Sequence, residues 1–317
     1  MRAHVLNLSG LGAAIFLAVW LNLAASPDSI ERQLTSVGPT SDTGQPPPLV
    51  DADGILFSPC DYRRVVSLNP VADHLLVQLL EPERLVGYSA VTANGHPEIW
   101  RFGAKPHIAR GASLEEIFSL RPDLVIASPF VDASKATRLR EEGIDVFNLG
   151  EMRGLATVRP NIQSLGRLLN VEQRAKGLGE RLDREIRGLQ NSVPKLRPRG
   201  LYLSVYGDAF FGGTAGTSYA DVLRLGGITD VAAAAGLVDW PQYASEQILS
   251  LQPDVLVTRR GMAGAIRAHP VLGQLDAARD PHGILEIDPA YDGDAGLGVL
   301  RAAASLQESI RKRTNHD

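Results

Sequence analysis

The sequence holds a single cysteine, Cys60, so an internal disulfide and a cysteine-based metal cluster are both excluded. Its histidines are scattered, at 4, 74, 96, 107, 269, 282 and 316, and no two stand as HxxxH or HxH, so a dedicated zinc cage is not expected. His96 and His107 fall in loop-like stretches from which a side chain could reach a metal, but a lone histidine is more often a packing residue. There is no basic surplus: Lys and Arg number 32 against 36 Asp and Glu, so no nucleic-acid partner is expected. Aromatic residues make up only 6%, which makes an aromatic side chain in a loop informative. What is present is apolar: 44% hydrophobic content in 317 residues supports a large core and suggests two domains.

The chain opens with Met1-Arg2, then an apolar run from Leu11 to Leu23, then Ala24-Ala25-Ser26. A positive start, an apolar centre and small exit residues describe a secretory signal over 1–26. An uncleaved membrane anchor is the second reading, because Val5 to Ala25 is about long enough to span a bilayer. Both readings place the bulk of the chain outside the cytoplasm, periplasmic or extracytoplasmic. Cys60 lies too far downstream to be a lipid attachment site beside that run and reads as a plain or partly buried thiol. Residues 27–62, rich in Pro, Gly, Ser and Asp, read as a disordered tether.

From Arg64 a strand-and-helix alternation begins: strands at 64–68, 85–88, 124–127 and 146–149, helices at 72–80, 114–120 and 133–142. Such alternation predicts an α/β fold with parallel sheet. A long helical segment follows, with Ile162, Leu165, Leu169, Leu178, Leu182, Ile186 and Leu189 on one face, ended by Pro194 and Pro198. Gly166, Gly177, Gly179 and Gly188 weaken the case for an unbroken helix. The alternation then resumes, from a strand at 201–206 to a final helix at 299–312. The predicted units are an N-terminal lobe at 63–153, a linking helix at 154–196 and a C-terminal lobe at 197–317.

SLEEIFSLRPDLVIAS at 113–128 aligns without gaps to ASEQILSLQPDVLVTR at 244–259. Glu115, Ile117, Ser119, Leu120, Pro122 and Asp123 recur as Glu246, Ile248, Ser250, Leu251, Pro253 and Asp254. The unit is a short helix stopped by Pro-Asp and then a buried strand. One copy precedes the long helix and one follows it, which points to two lobes of like fold.

Together with RVVSLNP (64–70), ERLVGYS (83–89), GIDVFNL (143–149), SLGRLLN (164–170) and WPQ (240–242), these segments resemble the class III periplasmic binding proteins of ABC importers. That family serves cobalamin, ferric-siderophore and haem uptake. The resemblance implies two Rossmann-like lobes joined by one long backbone helix, a ligand cleft between them, and an inner-membrane ABC permease as partner. It implies no enzyme activity and no permanently bound cofactor: the bound molecule is a small-molecule metal chelate, a ferric siderophore, cobalamin or haem, and the protein is a monomer. A stiff connection predicts little lobe motion on binding. Stretches 91–96 and 108–112 lack the aromatic residues of the cobalamin-binding members, which keeps a siderophore or another large chelate open beside cobalamin.

In that family glutamates at the two repeat positions dock onto the permease, which carries over to Glu115 and Glu246. Arginines on each permease half could hold one carboxylate each. The plainer reading is a helix first turn, where a carboxylate favours the dipole: Ser113 suits an N-cap with Glu116 completing a capping box, and Ser245 precedes Glu246.

Ligands of such folds meet the loops at the carboxyl ends of strands. That selects Asn69, Tyr88, Arg110 and Phe130 in the first lobe, and Tyr206, Phe210, Thr214, Trp240, Tyr243, Arg259 and Tyr291 in the second. Trp240 lies on a proline loop where core packing alone does not demand it, and in cobalamin-binding relatives the tryptophan of this motif contacts ligand. The arginines could pair with chelate oxygens or stay solvated. The stretch 207–218, GDAFFGGTAGTS, reads as a flexible cleft loop: it lacks the Gly-Lys-Ser/Thr core of a phosphate loop, which leaves a nucleotide-binding enzyme a weak alternative. Asp208, Asp221, Asp292 and Asp294 show no nucleophile–base pattern. An anchored binding protein without a transporter is the remaining alternative.

Overall fold

The computed structural model describes residues 48–93, 99–127, 129, 131–195, 197–207 and 209–314. The expected signal or anchor, and the tether up to residue 47, lie outside the described residues. Among the described residues no helix is long and apolar enough to cross a membrane.

The rest of the expected tether is folded. Strands β1 (Leu49–Val50) and β2 (Leu56–Phe57) pair antiparallel. The buried Asp51 closes the turn between them, accepting from the amides of Asp53 and Ile55 at 2.9 Å each. Leu49 and Tyr62 enter the core, and Phe57 packs edge-on against Phe147 at 5.0 Å. Composition hid this because two-residue strands carry no readable period.

The first half supplies β3 (Val65–Ser67), α1 (Pro70–Leu79), β4 (Leu85–Ser89), β5 (His107–Ile108), α2 (Leu114–Ser119), β6 (Leu124–Ala127), α3 (Ala133–Glu141) and β7 (Asp145–Asn148). Its strands form one parallel sheet in the order β5-β4-β3-β6-β7. Every residue of β3 and β6 is buried, as parallel strands covered on both faces require.

The connection between the halves departs from the expected single helix. It is two helices, α4 (Leu155–Leu168) and α5 (Glu172–Asn191). Asn170 turns the chain at φ 59°, the left-handed region where asparagine is tolerated. The helices then run back along each other: Arg159 pairs with Asp183, and Gly166 abuts Ala175. The apolar face read from sequence is buried as expected at Ile162, Leu165, Leu169, Leu178 and Leu182.

The second half supplies β8 (Arg199–Tyr202), β9 (Ser204–Tyr206), β10 (Ala209–Phe211), α6 (Ser218–Gly226), β11 (Thr229–Asp230), β12 (Gln242–Tyr243), α7 (Ser245–Leu251), β13 (Val255–Arg259), β14 (Ile284–Ile287) and α8 (Gly298–Thr314). A parallel sheet runs β11-β8-β13-β14 and a small antiparallel one β12-β10-β9. The expected strand at 201–206 is therefore two strands in two sheets. The expected flexible loop at 207–218 is also corrected: β10 pairs on both sides, Thr214 is fully buried and Thr217 caps α6. Helix α8 serves both cores: Leu300 and Ala303 join the cluster of the first half and connecting helices, while Val299, Leu306 and Ile310 join that of the second sheet.

The halves repeat each other in detail. Asp123 accepts from the amides of Arg63 and Arg64, and Asp254 accepts from the amide of Arg199. Arg64 donates to the carbonyl of Leu120, and Arg199 to that of Leu251. Arg121 and Gln252, each just before the Pro-Asp pair, have φ 46° and 44°.

A Cβ at Gly166 would strike Ala175, whereas Gly177 on the exposed face of α5 has nothing within 4 Å. Gly166→Ala is expected to cost about 1–3 kcal/mol by overpacking, and Gly177→Ala to add about 0.5–1 kcal/mol by helix propensity. Guanidinium unfolding midpoints check both; equal effects would mean that the two helices do not meet at Gly166.

Candidate functional site

Val71 follows the carboxyl end of β3 in the first sheet, and Gly296 follows that of β14 in the second. The loops that follow meet where Val71, at the start of α1, faces Gly296, so close that a Cβ on the glycine would be 2.6 Å from Val71 Cγ1. Beside this contact a cavity of about 190 Å³ is lined by His74, Gln78 and Arg101 from the first half, Arg181 from α5, and Tyr291 and Arg301 from the second half. A larger cavity of about 800 Å³ lies at the opposite, amino-terminal strand ends of the second sheet, among Arg199, Leu249, Asp254, Leu275, Asp280 and Arg313.

The first half builds its side of this junction from buried polar groups. Asn69 caps α1, its Oδ1 accepting from the amides of Val71 and Ala72, so the expected ligand contact is first a cap; its Nδ2 is buried with no protein partner. One turn on, Asp73 is fully buried and accepts from the Ser89 amide at 3.1 Å and the Thr92 hydroxyl at 2.5 Å. Burial pushes its carboxyl up to about 7, against the pull of those hydrogen bonds. Tyr88 does not face the cleft. It is core, with its ring 4.6 Å from Phe102 and 5.7 Å from His107. Arg110 is exposed on a turn, and Phe130 and His96 lie outside the described residues.

The second half carries the aromatic wall. Trp240 is 36% exposed and meets the Tyr219 ring edge-on at 5.5 Å. Tyr206, at the end of β9, is 52% exposed and edge-on to Phe211. Arg259 is exposed at the carboxyl end of β13, and Tyr291 is half-buried at the cavity. Three other candidates are corrected to packing residues. Phe210 is buried against His269, Thr214 donates to Asp230 at 2.5 Å, and Tyr243 is buried against Gly212 with its hydroxyl unpaired. All three belong to strand or turn registers whose inward side the sequence pattern did not distinguish.

Beneath Trp240 lies a cluster that spacing could not reveal, because its members come from three separate segments. Tyr202 and Tyr219 stack at 3.6 Å between ring centroids, and both hydroxyls donate to Asp292 Oδ1, at 2.7 and 2.8 Å. Burial holds both phenols well above their ordinary pKa. It also raises the Asp292 carboxyl, against the tyrosine hydrogen bonds and the charge of Arg259. The cluster therefore keeps its phenols protonated and gives Trp240 a rigid floor. The four aspartates do not form one acidic site: Asp221 accepts from the Leu155 amide and pairs with Arg224, Asp294 accepts from the amides of Gly296 and Gly298, and Asp208 lies outside the described residues. Among the described residues no group of three or more His, Cys, Asp or Glu could hold a metal ion.

Glu115 and Glu246 are both exposed in the first turns of α2 and α7. Each helix leads into the strand that pairs with the first strand of its sheet, β6 on β3 and β13 on β8. Ser113 and Glu116 form the expected capping box. The Glu115 carboxyl is held below its usual range by its own backbone amide and the Ser113 hydroxyl. Ala244, not Ser245, is the cap position of α7, with no side-chain bond.

Comparison with known proteins agrees with this architecture. A family profile described as "Periplasmic binding protein" matches residues 65–287. The uncharacterized ABC transporter substrate-binding lipoprotein YvrC of Bacillus subtilis is 24% identical over 306 residues, 94% of each chain. A cobalamin-binding protein of Halobacterium salinarum is 31% identical over 204 residues, which is 62% of this chain and only 53% of that protein. The periplasmic heme-binding protein RhuT from Roseiflexus matches in structure with a TM-score of 0.68 at 23% identity, over 78% of this chain and 98% of that one, which supports the fold.

The folded protein keeps the Asp73 proton to about pH 7, whereas the unfolded chain loses it near 3.8. The native state thus binds more protons in that window, so stability falls as pH rises through it and levels off above. Asp73→Asn should flatten this slope, leaving the smaller part due to Asp292; urea midpoints at pH 5 and pH 8 measure it. A slope unchanged by the substitution would show Asp73 ionised throughout.

Proposed function

The chain belongs to the periplasmic binding protein family, and from that premise we propose that it is the extracytoplasmic substrate-binding protein of an ABC importer for a large metal chelate. The observation that carries this is the exposed indole of Trp240, edge-on to Tyr219 of the buried Tyr202–Tyr219–Asp292 cluster, with Tyr206 a second exposed ring at the end of β9. Flat aromatic faces bury a large, partly apolar ligand at little entropic cost. Arg259 and Tyr291 add a cation and a phenol. The inter-half cavity of about 190 Å³ is too small for such a ligand alone, which supports an exposed binding surface at Trp240 over that cavity.

The tyrosine cluster supports one class of ligand chemistry. Tyr202 and Tyr219 stay protonated and committed to Asp292, which favours hydrogen bonding over iron ligation as phenolates. A chelate whose metal is already saturated, cobalamin or a ferric siderophore, suits that wall. The relatives compared above from Halobacterium salinarum and Roseiflexus are a cobalamin-binding and a heme-binding protein.

Glu115 and Glu246 are proposed as the permease contacts. They occupy equivalent places in the two halves, and two permease halves could each present arginine to one of them.

Fluorescence titration with cyanocobalamin, ferrichrome and haemin tests the ligand class. At least one should give saturable one-to-one quenching, and Trp240→Ala should weaken it by about tenfold or more. No quenching by any of the three overturns the reading.

Replacing both Glu115 and Glu246 by Ala should abolish uptake in cells at unchanged affinity for the same probe. An equal loss of affinity would move the pair from docking to the ligand site.

A further inference from the structure

Arg153 stands where the first half ends, two residues before α4. Its guanidinium reaches into the second half: Nη1 donates to Asp239 Oδ1 at 2.7 Å and to the Gly216 carbonyl at 3.1 Å, while Nε donates to Glu151 at 2.8 Å. Burial works against the charge, yet the hydrogen bonds to Glu151 and Asp239 together outweigh it and push the guanidinium pKa up.

Asp239 is the residue before Trp240, and its backbone is left-handed at φ 57°. A non-glycine residue stays there when its surroundings over-determine it, and such residues gather at ligand clamps. The surroundings are visible. The Asp239 amide donates to the Ala215 carbonyl at 2.7 Å, and its carbonyl accepts from the Thr214 amide at 3.1 Å. Gly216, at φ 87°, lies flat against the ion pair: a Cβ would stand 2.9 Å from Asp239 Oδ1 and 3.5 Å from Arg153 Nη1. Segment 214–216, the Asp239 carboxylate and the guanidinium are shaped to each other. None of these contacts belongs to either parallel sheet.

We propose that Arg153 is the positioning residue of the Trp240 loop, tying the tryptophan's placement to the junction between the two halves. The proposal rests on Trp240 being a ligand-facing side chain, as argued above. A charge-assisted bond between partly buried groups fixes direction as well as distance. A ligand that shifts the indole therefore pulls on the junction, and a change at the junction re-aims the indole.

The test needs no ligand. In a Trp20→Phe/Trp100→Phe background, emission reports Trp240 alone. Arg153→Ala should shift that emission to the red and raise its acrylamide quenching constant at least about twofold, as expected when a charge-assisted tether is lost. Arg153→Lys should recover part of the effect, and Arg153→Ala with Asp239→Ala should add nothing to either single change. If Arg153→Ala does not fold, Arg153→Gln, which keeps the stem and a donor, carries the same comparison. Wild-type emission and quenching in the folded variant, or fully additive effects in the double variant, overturn the proposal. Failure of cyanocobalamin, ferrichrome and haemin to bind wild type would sink the ligand reading and leave this comparison standing.

Discussion

The architecture depends on one carboxylate used twice. In each half the aspartate of a Pro-Asp pair accepts backbone amides at the entry of the sheet's first strand, and an arginine at that entry donates back to the carbonyl that ends the preceding helix. Four groups that would otherwise be unpaired at strand and helix ends satisfy one another. The tie fixes where the short helix stops and where the neighbouring strand begins. Through the helix it fixes an exposed glutamate, and through the strand the loop that leaves its carboxyl end. The same tie is present once in each half.

Much of this was legible. β6, at Leu124–Ala127, begins and ends where the apolar run does, because Pro-Asp bounds it on one side and the run is short. The repeat exposed the duplication, but it missed Arg64 and Arg199, which lie outside the aligned windows. The connecting helices were half legible. Their apolar face was correct, yet the same three- and four-residue spacing continues through a hairpin. Only the glycine contact and the left-handed Asn170 reveal the turn, and neither has a period.

The site was less legible than the fold. Trp240 stood out because it lies on a proline loop just before a helix, where core packing alone does not demand a tryptophan, and it is 36% exposed. Phe210, Thr214 and Tyr243 share the local chemistry of ligand contacts but point inward, and facing is decided by a small antiparallel sheet whose strands are two or three residues long. The Tyr202–Tyr219–Asp292 floor and the Arg153–Asp239 clamp were invisible for a simpler reason. Each is assembled from residues far apart in the chain, brought together by tertiary packing.

The last helix has a bearing on how the chain matures. Leu300 and Ala303 fill the core that the first half and the connecting hairpin leave open, while Gln307 donates to the carbonyls of Leu189 and Leu225. The earliest-made half therefore cannot seal its interior until the final residues have been synthesised. The order of synthesis and the order of core completion thus run in opposite directions along the sequence.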